Sequence, residues 1–343
     1  MTRDADSVLE TAEAWLNAGQ RVAWATVVGT WRSSLRPVGS QMVIAGDGQF
    51  AGSVSGGCVE GAVIEAAGGL LSGGQSATLA YGVSSESAWE VGLPCGGKIE
   101  IFLAELQRPM LERLLAARRS RSTLACLTDL DSRTQELWEP GAPSSLIAGH
   151  EQLQARVAEA FRAEQSELIE LPGRRVFAGL VASPLRLVMV GAVPLSQVLA
   201  QLAEPFGFEL IVVDPRSAFA TPERFPSARL LHDWPDEALA AIGLDRRTAV
   251  VVLSHDAKID EPALSAALRG DCFYVGALGS RRTQEARRRR LADEGISAAA
   301  LDRLHGPIGL DIGALTTPEI AVSILAELIQ VRRVAASSTV TAV

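Results

Sequence analysis

From Pro184 onward, short apolar runs alternate with helical segments, and this alternation constrains the fold more than any other feature of the sequence. Leu187–Val190, Leu210–Asp214, Thr248–Ser254 and Phe273–Val275 read as buried strands. Pro194–Ala203, Glu261–Leu268 and an Arg-rich stretch after Arg281 read as the helices between them. Strands separated by helices pair in parallel through right-handed crossovers. The last helix is expected to open with Thr317 as its cap, Pro318 in the first helical position and Glu319 in the first turn. Ile320, Ile324, Leu325, Leu328 and Ile329 then mark one buried face. Arg287–Arg290 are expected on a solvated helix face.

Before residue 180 the pattern differs: short strands are scattered among Gly/Ser-rich loops. A helix is expected over about residues 5–18, a strand over Val22–Val28, and a hairpin around Gly46-Asp47-Gly48. A helix from about Cys58 to Ala67 and a strand over Lys98–Leu106 follow, with a polar loop over Tyr81–Glu90 between them. The expected fold class is therefore α/β: an N-terminal α/β domain with a mixed sheet, plus a C-terminal Rossmann-like parallel-sheet domain. The expected limits are 1–182 and 183–334, with a flexible tail over 335–343. A length of 343 residues suits two such domains.

Net charge is −8, from 32 Lys and Arg against 40 Asp and Glu, which argues against a nucleic-acid partner. No apolar run reaches the roughly 18 residues of a membrane helix, so no membrane partner is expected. The acidic, amphipathic N-terminus lacks the apolar core of a secretory signal. With only four cysteines and no disulfide framework, the expected location is cytoplasmic.

Two Cys–Gly sites carry the chemistry. In Gly56-Gly57-Cys58-Val59-Glu60, a Gly pair precedes a helix, whose free N–H groups would favour a thiolate at Cys58. The alternative is a small buried Cys at a tight turn. Cys95-Gly96-Gly97 repeats the pairing at a strand start. Neither has ligand partners at zinc spacing, and no permanent metal site is expected. Cys126 and Cys272 lie in apolar strands and read as core. The loop Arg32–Pro37, with Arg36, is either a phosphate- or pterin-like cradle or a solvated loop.

In the second half, Gly191 follows a strand, and Asp214 ends the next one 23 residues later, as in a dinucleotide fold. Val193 and Ser196 stand where the other fingerprint glycines belong, so hydride transfer with NAD(P) is disfavoured. Gly276, Gly279, Ser280 and Arg281 form a turn and helix start suited to an anion. Gly309 and Asp311 lie in a second Gly-rich loop, after His305. Each segment is either an anion site or only a tight turn. His255 ends a strand at the edge facing the ligand crevice, where it either binds or caps the next helix.

These residues carry a resemblance to the XdhC/CoxI family of molybdenum-cofactor maturation proteins. It rests on Arg36-Pro37-Val38-Gly39, Gly52 through Glu60, Cys95-Gly96-Gly97, Tyr274–Arg282, and His305 through Gly313 followed by Thr317-Pro318-Glu319-Ile320-Ala321. The resemblance implies a cytoplasmic chaperone that transiently binds molybdenum cofactor, as molybdopterin or its dinucleotide form. It implies support for cofactor sulfuration, with a cysteine desulfurase as donor, and delivery to an enzyme of the xanthine dehydrogenase, aldehyde oxidoreductase or CO dehydrogenase type. A cofactor nucleotidyltransferase is a further expected partner, and the expected assembly is a homodimer. On this reading Cys58 and Cys95 handle sulfur or contact molybdenum. The cofactor-binding set is Arg36, Gly56, Gly57, Glu60, Gly96, Gly97, Gly191, Asp214, His255, Gly276, Gly279, Ser280, Arg281, Gly309 and Asp311. The first loop departs from the family's Gly-Ser-x-Pro-Arg at Ser33 and Leu35, and the Rossmann loop departs from Gly-x-Gly-His at Val193 and Pro194. The competing readings are an NAD(P)-dependent oxidoreductase and an adaptor that has lost its ligand.

Overall fold

The computed structural model describes residues 3–31, 36–82 and 97–338. The chain divides between Ser183 and Pro184 into two compact units.

The first unit runs α1 (Arg3–Asn17), β1 (Val22–Trp31), β2 (Gln41–Ala45), β3 (Phe50–Gly52), α2 (Glu60–Leu71), β4 (Ala77–Tyr81), β5 (Lys98–Glu105), α3 (Arg108–Arg119), β6 (Leu124–Asp129), β7 (Gln135–Trp138), α4 (Glu151–Ala163), β8 (Glu167–Leu171) and β9 (Arg174–Val181). One sheet has the order β3-β2-β1-β5-β4, the other β7-β6-β9-β8. Every pairing in both is antiparallel. This corrects the expected mixed sheet. Helix α2 carries the chain from one edge of the sheet to the other, where β4 meets β5 antiparallel. Strand β4 falls just before the loop expected over Tyr81–Glu90, which from residue 83 lies outside the described residues.

Period-two alternation divides the first sheet's side chains between two cores. Ala23, Ala25, Val27, Ile99 and Ile101 pack under α2. Val22, Trp24 and Val43 face α1 and α3 on the other side. Cys126 lies in that second core and Cys272 in a core of the other unit, and burial pushes each thiol up to about 12.

The second unit runs β10 (Arg186–Val190), α5 (Pro194–Ala203), β11 (Glu209–Val213), β12 (Arg229–Leu231), α6 (Pro235–Ile242), β13 (Thr248–Val252), α7 (Ala257–Arg269), β14 (Tyr274–Ala277), α8 (Arg281–Asp293), α9 (Ala298–Asp302), β15 (Leu304–His305) and α10 (Thr317–Ser338). The sheet is parallel throughout, in the order β12-β11-β10-β13-β14-β15. That order reverses direction at β10, which makes it a doubly wound Rossmann sheet. Leu187 and Met189 face α5 and α10, whereas Val188 and Val190 face the α7 side.

Four expectations in this unit need correction. The helix expected to stop before a flexible tail at 335 continues to Ser338, and 339–343 lie outside the described residues. Its cap is Thr316, whose carbonyl accepts from Ile320 N–H. Glu319 reaches back to the N–H groups of Leu315 and Thr316, completing a capping box one residue earlier than expected. On the same helix Ile329 is exposed, because at 100° per residue it falls on the outer stripe with Val322. Arg287, expected in solvent, is buried: it donates to Asp260, Gln284 and the Leu278 carbonyl. Arg288 and Arg290 are also engaged, with the Leu301 and Leu304 carbonyls and with Glu261. Among the described residues, no helix is long and apolar enough to cross a membrane.

Candidate functional site

The register of the first sheet brings its motif loops to one end. Trp31 closes β1 opposite Lys98, the first residue of β5. At the same end β2 begins beside β1, β3 finishes at Gly52 opposite Met42, and β4 finishes at Tyr81 opposite Ile99. Three connections therefore leave this end. They are the loop carrying Arg36, the loop Ser53–Val59 carrying Cys58, and the segment that enters β5 through Gly97. Arg36 and Cys58 are half-buried, and Gly97 is buried. Arg32–Leu35, Cys95 and Gly96 lie outside the described residues.

The Cys58 loop is organised around a carboxylate. Glu60, at the start of α2, is buried, and its Oε1 accepts from the Ser53 hydroxyl at 2.7 Å and from the N–H groups of Val54, Ser55 and Gly56. Its Oε2 accepts from the Ser55 hydroxyl and the N–H groups of Gly57 and Val59. Burial opposes ionisation of Glu60. The Ser55 and Ser53 hydroxyls and the backbone donors outweigh it and hold the carboxyl at about 2. Gly56 and Gly57 take φ of +88° and +117°, which side-chain-bearing residues rarely adopt, and both are exposed.

This geometry revises one expectation. Glu60, expected to touch cofactor, is turned inward and shapes the loop instead. The N–H groups of the turn around Cys58 are committed within it: those of Gly56, Gly57 and Val59 to Glu60, and that of Cys58 to the Ser55 hydroxyl at 3.0 Å. The Cys58 thiol is half-buried against the core under α2, beside two exposed glycines.

The sequence reading missed Trp31 and Lys98 at this end of the sheet. The Lys98 ammonium lies 4.3 Å from the Trp31 ring centroid and 3.0 Å from Glu100. A Cβ at Gly29 would stand 2.9 Å from the indole, so that glycine makes room for the ring. The available signal was a Trp placed directly before the Arg-rich loop.

In the second unit, the expected residues line the carboxyl edge of the parallel sheet. Gly191 follows β10, Asp214 follows β11, and His255 lies three residues beyond β13, exposed. Gly276 and Gly279 lie at the end of β14, Ser280 caps α8 through Thr283 N–H, and Arg281 is exposed in its first turn. Gly309 and Asp311 follow β15. The helix after His255 is capped by Asp256, not by the histidine.

Asp214 does not face a ligand. It is fully buried and accepts from Ala192 N–H at 2.7 Å, from the N–H of Arg216, and bidentately from the Arg216 guanidinium. Burial raises its carboxyl, but the Arg216 and Ala192 donors prevail and hold it below the usual carboxylate range. Pro194 occupies the first turn of α5, where it supplies no N–H, and Ala192 N–H is spent on Asp214. The usual pyrophosphate cradle is thus closed from within. Gly191 is required for packing: at φ +100° a Cβ there would meet the Ser254 backbone nitrogen at 2.8 Å.

A second cluster at this edge was not foreseen. Glu327 of α10 accepts from Tyr274 Oη at 2.5 Å and Gly309 N–H at 2.7 Å on Oε2, and its Oε1 lies 2.9 Å from His305 Nδ1. The Tyr274 and His305 rings stack at 4.5 Å. Burial works against ionisation of Glu327, but these three partners hold its carboxyl low. The sequence signal was an acid three residues after Ile324, on the edge of an apolar helix face. Among the described residues, no group of three or more His, Cys, Asp or Glu is placed to hold a metal ion.

Comparison with known proteins matches two family models to this chain. The XdhC and CoxI family covers residues 15–82, and the XdhC Rossmann domain covers residues 187–328. The Escherichia coli protein "Molybdenum cofactor insertion chaperone PaoD" is 29% identical over 335 residues, 97% of this chain and 90% of its own. A Bacillus subtilis protein described as a probable subunit of xanthine dehydrogenase is 27% identical over 332 residues, 94% of this chain and 96% of its own. A crystal structure from Bacillus halodurans, described as a xanthine dehydrogenase, superposes with a TM-score of 0.75 at 25% identity, over 97% of this chain and 96% of that one. An N-terminal sheet with its motif loops at one end, a doubly wound C-terminal sheet, and two matching models over these same parts place the chain in the XdhC/CoxI family.

Proposed function

We propose that this protein is a chaperone of molybdoenzyme maturation, which holds molybdenum cofactor as cargo and passes it to a molybdoenzyme. The observation that carries this reading is similarity along nearly the whole chain to a molybdenum cofactor insertion chaperone. The first sheet adds chemical support, since Arg36, Cys58 and Gly97 lie on connections from one end of it. A thiolate is a soft ligand suited to molybdenum or to carrying sulfur. A guanidinium suits the phosphate that the pterin cargo bears.

In this proposal Cys58 and Cys95 contact molybdenum or handle sulfur, while Arg36, Gly56, Gly57, Gly96 and Gly97 border the cargo. Glu60 acts through the loop it holds. In the second unit, taken by itself, His255, Gly276, Gly279, Ser280, Arg281, Gly309 and Asp311 border a ligand at the carboxyl edge of the sheet. The cargo is molybdopterin or its dinucleotide form, bound transiently. Sulfuration with a cysteine desulfurase as donor, exchange with a nucleotidyltransferase, a homodimeric state and a cytoplasmic location belong to the same proposal. An NAD(P)-dependent oxidoreductase fits less well, because Asp214 is not free to bind a ribose.

Pterin content tests the reading. The protein is purified from a host that makes molybdenum cofactor, oxidised, and measured by pterin fluorescence beside the Cys58→Ala/Cys95→Ala variant. Pterin on the wild type and not on the variant is expected. Pterin on both would keep the chaperone and remove the thiols from cargo binding. None on either, after loading with free cofactor, would overturn the reading.

A further inference from the structure

The second unit spends buried structure on holding one imidazole. His305 ends β15 opposite Gly276 of β14, and the absence of a side chain at Gly276 leaves room for the Tyr274 ring to lie against it. A Cβ there would meet Tyr274 Oη and Ile308 at 2.7 Å. Tyr274 is almost fully buried and donates its hydroxyl to Glu327. The same carboxylate takes the Gly309 N–H and faces His305 Nδ1. Gly309 cannot carry a side chain, since its Cβ would lie 2.3 Å from the Ser323 hydroxyl. The ring is therefore fixed by a stack on one face and a carboxylate on one nitrogen. Its other nitrogen, Nε2, makes no hydrogen bond among the described residues, and the side chain is 30% exposed.

A histidine whose Nδ1 is fixed by a carboxylate has its Nε2 aimed at a defined point, the arrangement by which proteins orient ligand-contacting imidazoles. This point lies at the carboxyl edge of an open parallel sheet, where such folds hold ligands. The neighbouring element is positively charged. The loop after His305 packs on Gln284 of α8, where a Cβ at Gly306 would meet the amide at 2.6 Å. One turn earlier on that helix, Arg281 and Arg282 are exposed and make no ion pair among the described residues. Meanwhile the β10–β11 side of the same edge, where a dinucleotide fold binds pyrophosphate, is closed by Asp214 and Pro194.

We infer that His305 is an anion contact of the second unit, donating an Nε2–H to a phosphate group of its ligand. Tyr274 and Glu327 are its positioning residues, and Arg281 and Arg282 supply attractive charge. The phosphate site lies on the β14–β15 side of the sheet and not at the β10–β11 fingerprint. It does not depend on cofactor binding by the first unit.

The full-length protein tests this with two probes, inorganic phosphate and ADP, followed by the imidazole C–H resonances of its four histidines and by calorimetry. Saturable shifts of the His305 resonance are expected, with that of His150, in the first unit, unmoved. His305→Asn should weaken binding at least about tenfold, the loss of one charge-assisted hydrogen bond. Arg281→Gln/Arg282→Gln, at the surface and harmless to folding, should weaken it several-fold. Tighter binding of ADP than of phosphate would assign the site to a diphosphate. Equal binding would assign it to a single phosphate group, and either result upholds the inference. No saturable shift in folded wild type would overturn it. So would His305→Asn lowering Tm while leaving both affinities intact, which would make the cluster a clamp for the Gly306–Gly313 loop.

Discussion

The Cys58 loop of the first unit and the Gly191 loop of the second use the same device to opposite effect. In each, a buried carboxylate accepts backbone N–H groups of a glycine-containing turn at a strand–helix junction. Glu60 gathers the donors of Ser53–Val59 inward, and two glycines are left exposed beside a half-buried thiol. Asp214 takes the donor of Ala192 and the guanidinium of Arg216, and nothing reactive is left at the turn. The difference lies in what stands beside the donors. A glycine pair lets the chain fold around its own carboxylate and leaves open backbone next to the thiol. A Pro at the helix start and an Arg across the loop close the turn instead. An internal anion thus shapes a site in one case and fills it in the other.

Glu60→Gln should give the largest effect. It places an amide donor among donors and should cost about 3 kcal/mol in denaturant unfolding, with loss of pterin on the purified protein. Full pterin retention at that loss of stability would break the link between the carboxylate and the site. Asp214→Asn should cost about 2 kcal/mol by loosening the Ala192–Arg216 tie while leaving pterin content unchanged. If Asp214→Asn strips pterin as Glu60→Gln does, the contrast between the loops is wrong.

Gly57→Ala should cost about 1–2 kcal/mol, because an L-residue at φ +117° is strained, and should alter Cys58 alkylation more than global stability. Acid gives the most diagnostic effect. Glu60 falls from an ordinary 4.5 to about 2 on folding, so its stabilisation is complete above pH 4.5 and lost as pH falls toward 2. Asp214 is also depressed, so its contribution disappears below 3.8. Unfolding free energies measured from pH 6 to pH 2 should fall over these windows. The part above pH 3.8 should shrink in Glu60→Gln, leaving the share of Glu100, Glu105 and Glu327, and persist in Asp214→Asn.

How legible the molecule is from its sequence depends on the range of the interactions involved. Four strands of the second unit, β10, β11, β13 and β14, and the α5 boundaries Pro194–Ala203 follow from local periodicity, and the structure has them within two residues of where they are expected, whereas the short edge strands β12 and β15 were not expected. The N-terminal sheet direction does not, because α2 spans to the far edge and only pairing shows which neighbour β4 meets. Arg287 reads as solvated because an Arg run ordinarily is, and its burial needs Asp260 from a different helix.

The sequence by itself determined the α/β class, the parallel second sheet, the Cys–Gly and Gly-rich loops and the family, because these depend on residue order and short-range geometry. Tertiary structure alone decided that Glu60 and Asp214 turn inward, that three motif loops leave one end of a sheet, and that Tyr274, His305 and Glu327 meet. Each of these rests on donors and acceptors brought together from distant chain segments, and a buried polar group takes whichever partner the packing places within reach.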